Sequence, residues 1–208
     1  MKLKSSLIMV TALIFVGTLA VPVSAQDVLS ARAANKQLYR TGKKMTEVRI
    51  VRRDLIPPNL IPVIEGAAKI QKYYEAFAVS PTEGISATSA FQAINFHTIA
   101  SANAAAVSGC NAKKKAESED CVVVAEFLPK GYDGPRAFSL SAIASKEFSK
   151  KYRRSGKQRA FAISPATGFW GRAVKANSIE AARTTAVAEC KSRAAAVGGQ
   201  DCVVVSEN

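Results

Sequence analysis

The chain carries one histidine, His97. A general base needs a nucleophile or an orienting partner within reach, and nothing near His97 in sequence supplies one. Ser80 and Ser164 each precede a proline, and turn initiation accounts for a Ser-Pro pair without a nucleophile. Glu117, Glu119 and Asp120 form the one tight acidic group, beside Lys113, Lys114 and Lys115. They lack the alternating oxygen ligands of a calcium loop and read as a solvated, charge-compensated loop. Trp170, the single tryptophan, reads equally as core or as a half-exposed contact residue. No glycine-rich phosphate cradle is found, and neither a cofactor nor a metal is expected.

Basic residues carry the stronger signal. Lys146, Lys150, Lys151, Arg153, Arg154, Lys157 and Arg159 crowd one stretch against Glu147 alone, with Phe148 and Tyr152 between them. Arg49, Arg52 and Arg53 form a second, smaller run, and the whole chain has a formal charge of +13. Such a cluster attracts polyanions, and the seven residues from Lys146 to Arg159 are the expected anion-binding set.

Which polyanion depends on compartment. Lys2 and Lys4 precede an almost unbroken apolar run from Leu7 to Ala20, and Val23-Ser24-Ala25 supplies small residues at a cleavage site. This is the pattern of a secretory signal peptide over residues 1–25, with a mature start at Gln26. Export to a periplasmic or extracellular space removes nucleic acid as the natural partner. Anionic envelope surfaces, lipid headgroups and acidic proteins take its place. No later segment is apolar for long enough to span a bilayer.

All four cysteines lie beyond that leader, and an even count in an oxidising compartment reads as two disulfides. A repeat selects their pairing. Ala76-Phe-Ala-Val-Ser-Pro-Thr-Glu-Gly84 matches Ala160-Phe-Ala-Ile-Ser-Pro-Ala-Thr-Gly168, Cys110 matches Cys190, and Asp120-Cys-Val-Val-Val124 matches Asp201-Cys-Val-Val-Val205. Ile99, Ala102, Ala106 and Cys110 share one helical face, as do Ile179, Ala182, Ala186 and Cys190. Each helical cysteine therefore points towards the sheet on which its partner begins a strand, which pairs Cys110 with Cys121 and Cys190 with Cys202. The wide spacing within each pair argues against a four-cysteine zinc site.

The elements that position these residues follow from the same repeat. Strands are expected at Tyr74–Ser80 and Arg159–Ser164, and a further strand at Phe169–Val174. Ala-rich helices should be capped by Thr98 and Ser178, running from Ile99 to about Lys114 and from Ile179 to about Val197. Gly198-Gly199 would stop the second. Upstream, Val48–Val51 and Arg136–Leu140 read as strands, each followed by a helix-like stretch. The expected fold is α+β, with two tandem units of roughly β-α-β-β-α-β and one helix-to-strand disulfide each. Residues 46–128 form the first unit, 129–135 a turn-rich connector and 136–208 the second. Residues 26–45, polar and basic, read as a flexible N-terminal segment. Plentiful Ala and Val with few aromatics predict thin cores between helix and sheet.

The segments Ala160-Phe-Ala-Ile-Ser-Pro165, Gly168-Phe-Trp-Gly171, the Ala-rich helix ending in Cys190, and Asp201-Cys-Val-Val-Val205 together resemble a family of small bacterial secreted domains, domain-of-unknown-function family 4189. The resemblance covers residues 160–206 well and 76–126 less well. It implies a secreted, disulfide-bonded α+β fold and brings no activity. The expected function is a non-enzymatic exported module that binds an anionic envelope component or a protein. A small envelope hydrolase with a site between the units is the alternative, and a structural envelope protein without a ligand is a third class. Grouped carboxylates, His97 and hydroxyls in one cleft would favour the enzyme.

Overall fold

The computed structural model describes residues 28–208, so the expected signal peptide and Gln26 lie outside the described residues. The chain begins with a two-residue strand β1 (Leu29–Ser30) and helix α1 (Ala31–Gln37). It continues through β2 (Thr46–Ile50), α2 (Ile61–Ala67), the hairpin β3 (Glu75–Val79) and β4 (Phe91–Ala93), then α3 (Ile99–Asn111) and β5 (Val122–Pro129). The second half adds α4 (Ala142–Lys150), the hairpin β6 (Ala160–Ile163) and β7 (Trp170–Ala173), α5 (Ile179–Ala194) and β8 (Val203–Glu207). The architecture is mixed α and β, with two four-stranded sheets in the orders β2-β5-β3-β4 and β1-β8-β6-β7.

Strand alternation divides small from large side chains in both sheets. Ala76 and Ala78 face α3, where they meet Ala102, Ala106 and Cys110, whereas Val79 and Phe77 pack with Ile56, Ile61 and Val124 on the other face. In the second sheet Ala160 and Ala162 face Ala182, Ala186 and Cys190 of α5. Phe161 and Ile163 turn instead to Phe138, Phe148 and Tyr152. The core beneath the two long helices is thin, as the composition implies. A register shift interrupts β3 between Phe77 and Ala78 and β6 between Phe161 and Ala162, against β5 and β8 respectively.

The close helix–sheet approach needs a residue without a Cβ at one contact in each half. In the first half it is Gly109 on α3, over which the ring of Phe91 lies. In the second it is Gly171 on β7, where a Cβ would strike the backbone of α5 at Ala186 and Cys190 and the side chain of Glu189. Large and small have changed places between strand and helix.

Thr98 and Ser178 cap α3 and α5 as expected, accepting the backbone N–H of Ser101 and of Ala181. Gly198 ends the 3₁₀ turn after α5 in the left-handed region, at φ +76°. Cys110 is bonded to Cys121 and Cys190 to Cys202.

Two expectations are corrected. Residues 136–140 form no strand; Phe138 and Leu140 are core side chains of the turn leading into α4. The place beside β8 is taken by Leu29 and Ser30 from the N-terminal segment, paired in parallel with Ser206 and Glu207. The described part of that segment, from residue 28, is therefore built into the fold. Ser30 caps α1, and Ala31 and Ala34 are buried against the aromatic core of the second half. The low hydrophobicity of residues 26–45 hides a helix held by only two small apolar contacts.

The halves meet through the loop before α3. Gly168, at φ +74°, lies so close to the Asn95 carbonyl that no Cβ fits. Nearby, Tyr39, Tyr73 and Tyr74 pack together with Ala142 and against Tyr132, and Ser139 donates to the Tyr74 hydroxyl at 3.0 Å.

Candidate functional site

The basic stretch from Lys146 to Arg159 does not act as one surface. On α4, Ile143, Lys146 and Lys150 advance by three and four and so share a face, while Ala144 and Phe148 are fully buried on another. The Ser141 hydroxyl caps the helix by accepting from the Ala144 N–H at 3.3 Å. Lys151 is exposed and pairs at 3.3 Å with Glu147, which also holds Arg172 at 3.0 Å. Arg153 and Arg154 are exposed on the following 3₁₀ turn, and Lys157 on the loop after it.

Arg159 leaves the expected anion-binding set. It is only 9% exposed, and its guanidinium donates to the carbonyls of Tyr152 at 3.3 Å, Arg153 at 3.1 Å and Ser155. Five donors on a planar group suit it to collecting the free carbonyls of a tight turn. It fastens the loop that carries the other cations.

Lys146 and Lys150 line a cavity of about 410 Å³ between the halves. Its other walls are Thr41, Gly42, Lys43, Met45 and Thr46 from the N-terminal connection, Lys72 and Tyr73 ahead of β3, and Ala142 and Ile143. Thr46 donates to the Gln71 carbonyl at 3.0 Å, which holds the start of β2 against this wall. The Lys72 N–H donates to buried Glu75 at 3.2 Å, and Gln92 donates to the same carboxyl. Burial pushes the Glu75 carboxyl up to about 7, against these two hydrogen bonds. Tyr73 is buried, its hydroxyl 3.4 Å from the Tyr39 carbonyl, and burial pushes its phenol up to about 12, so it stays neutral.

Four exposed lysines, Lys43, Lys72, Lys146 and Lys150, thus line one space with no Asp or Glu in its lining. None of the four has an ion-pair partner among the described residues. Lys43 and Lys72 were not legible as members of this set. Each stands far from α4 in sequence, and only the pairing of β2 and β3 with β5 brings them there.

His97 and Ser164 meet at one carbonyl, that of Phe169, which accepts the Ser164 N–H at 2.9 Å, but their side chains are engaged with other partners. His97 is 1% exposed; its Nε2 lies 3.0 Å from the Phe169 carbonyl and its Nδ1 accepts the Ser141 N–H at 3.1 Å. Burial holds the ring down at about 4, although the Phe169 carbonyl and Asp201 oppose this. Ser164 donates to Asp201, which also accepts the Ala166 N–H at 2.7 Å. Ser80 donates to the Glu119 carbonyl at 2.8 Å. Neither serine is hydrogen-bonded to His97, and both act as staples of their turns. Asp120 is exposed and pairs with Lys114 at 3.5 Å. Trp170 stacks on Phe161 with centroids 5.4 Å apart, and Arg193 lies 4.2 Å over its ring while donating to its carbonyl. Its role is packing.

No helix among the described residues is long and apolar enough to cross a membrane. No protein-family model, curated protein or solved structure matches this chain.

Proposed function

We infer that the protein is an exported, non-enzymatic module that binds an anionic ligand in the cavity between its two halves. One observation carries this reading: Lys43, Lys72, Lys146 and Lys150 surround that cavity without a carboxylate. Like charges gathered around a concave surface attract anions more strongly than the same charges spread over an open one. Two disulfides fit the oxidising compartment that the leader-like N-terminus implies. The likeness of residues 160–206 to the secreted domain-of-unknown-function family 4189 supports the same compartment. Neither Ser80 nor Ser164 is hydrogen-bonded to His97, whose buried ring has both nitrogens engaged elsewhere, and this argues against a hydrolase between the halves.

Calorimetric titration with inorganic phosphate and glycerol 3-phosphate tests this. Binding should weaken steeply with salt, since the Debye length is ~10 Å at 0.1 M. Lys146→Glu with Lys150→Glu should abolish it, whereas Arg153→Glu with Arg154→Glu changes net charge equally outside the cavity and should leave most of it. Equal loss in both variants would overturn the cavity and leave only the overall charge.

A further inference from the structure

We propose that the cavity takes the phosphate of an anionic phospholipid headgroup at a membrane surface, with Ile143 and Ile70 entering the interface beside it. This rests on reading the cavity as an anion site and adds the source of the anion. Ile143 lies on the cavity-facing side of α4, one turn before Lys146 and two before Lys150, yet is 48% exposed. Ile70, two residues before Lys72, is 78% exposed, more than any other large apolar side chain among the described residues. A free phosphate needs neither isoleucine. A lipid headgroup brings acyl chains alongside its charge, and aliphatic side chains next to lysines match that pairing.

The physical terms agree in scale. The cavity falls within the roughly 300–1,000 Å³ of small-ligand sites, which suits a headgroup and is small for a folded partner. Each lysine near an anionic leaflet adds to the attraction. Lysine stems lie along apolar surface while their ammonium groups reach the phosphates. Binding of a protein to a membrane surface scales with buried apolar area plus attraction to anionic lipids, and the isoleucines and lysines supply one each.

Co-sedimentation of the exported chain with vesicles tests the proposal. Vesicles of phosphatidylcholine with phosphatidylglycerol should bind it at low salt, and phosphatidylcholine alone should not. Ile143→Asp with Ile70→Asp should weaken vesicle binding on the order of tenfold and leave glycerol 3-phosphate affinity unchanged. Thermal melts of each variant confirm the fold, and Ile143→Ser with Ile70→Ser serves if the aspartates disturb it. Binding of glycerol 3-phosphate without binding to phosphatidylglycerol vesicles would overturn the membrane proposal while the anion site stands. Unchanged vesicle binding in both isoleucine variants would also overturn it. Failure of both ligands would remove the anion site itself.

Discussion

His97 accepts the backbone N–H of Ser141 through Nδ1 at 3.1 Å, so a first-half side chain caps the approach to a second-half helix. A backbone amide can only donate, which makes Nδ1 the bare nitrogen and puts the ring proton on Nε2, where it meets the Phe169 carbonyl. One imidazole therefore ties two separate places of the second half to the first. Asn177, which precedes the Ser178 cap of α5 as His97 precedes the Thr98 cap of α3, is exposed instead.

That arrangement requires a neutral ring. The unfolded chain takes a proton on His97 near 6.5, but the folded chain resists until about 4. Stability should be unaffected by His97 above pH 6.5 and should fall as the pH drops from 6.5 towards 4. His97→Gln, whose amide can accept from Ser141 and donate to Phe169, should flatten that acid limb in urea titrations run at several pH values. An unchanged limb would show that His97 is not its source.

Glu75 predicts a limb of opposite sign. Its carboxyl is raised by burial from 4.5 to about 7, so between those values the folded chain keeps a proton that the unfolded chain has lost. Its contribution is held below pH 4.5 and lost as the pH rises through 7. Glu75→Gln keeps an acceptor for Lys72 and should make the protein more stable than the parent above pH 7, with little difference at pH 4.5. Equal urea midpoints at pH 8 would refute this.

The exchange of large and small between Phe91/Gly109 and Gly171/Glu189 gives a graded pair. Gly171→Ala drives a methyl into the backbone of α5, which cannot step aside. Gly109→Ala meets the ring of Phe91 on the short strand β4. Overpacking of this kind costs about 1–3 kcal/mol, and Gly171→Ala should cost more, measured as the shift of the urea midpoint.

The disulfides should each contribute about 2–3 kcal/mol for loops of this length. Peptide mapping without reduction should recover Cys110 with Cys121 and Cys190 with Cys202. Cys190→Ser with Cys202→Ser should loosen chiefly the second sheet, seen as faster amide exchange in residues 203–207.

How far the sequence led depended on how local each signal was. The caps at Thr98 and Ser178, the inward faces of α3 and α5 and both disulfides are set by spacings within one helix or between a helix and the next strand, and these were legible. Arg159 was misplaced because it neighbours exposed cations in sequence but immediately precedes the buried strand β6, where its side chain folds back under the turn. The cavity was half-visible: α4 announces Lys146 and Lys150, but Lys43 and Lys72 join them only through sheet pairing. Leu29–Ser30 was invisible, since two residues show no alternation and their partner lies at the opposite end of the chain.

That last pairing makes the final prediction. Parallel pairing of Leu29 and Ser30 with Ser206 and Glu207 covers the outer edge of β8, and an open edge invites association with another chain. Removing residues 28–37 also uncovers the core around Phe148 and Tyr152 that Ala31 and Ala34 close. Tyr152 would keep its hydrogen bond to the Ser206 carbonyl, at 2.9 Å, but now beside solvent. The truncated chain should lose on the order of 2 kcal/mol or more from the apolar contact removed. It should also show faster exchange in β8 than in β5 and a concentration-dependent tendency to associate. Hydrogen exchange and light scattering measure the two effects. If β8 exchanges at the parent rate and the chain stays monomeric, the N-terminal segment is an accessory to the second sheet, and the edge is protected by β8 itself.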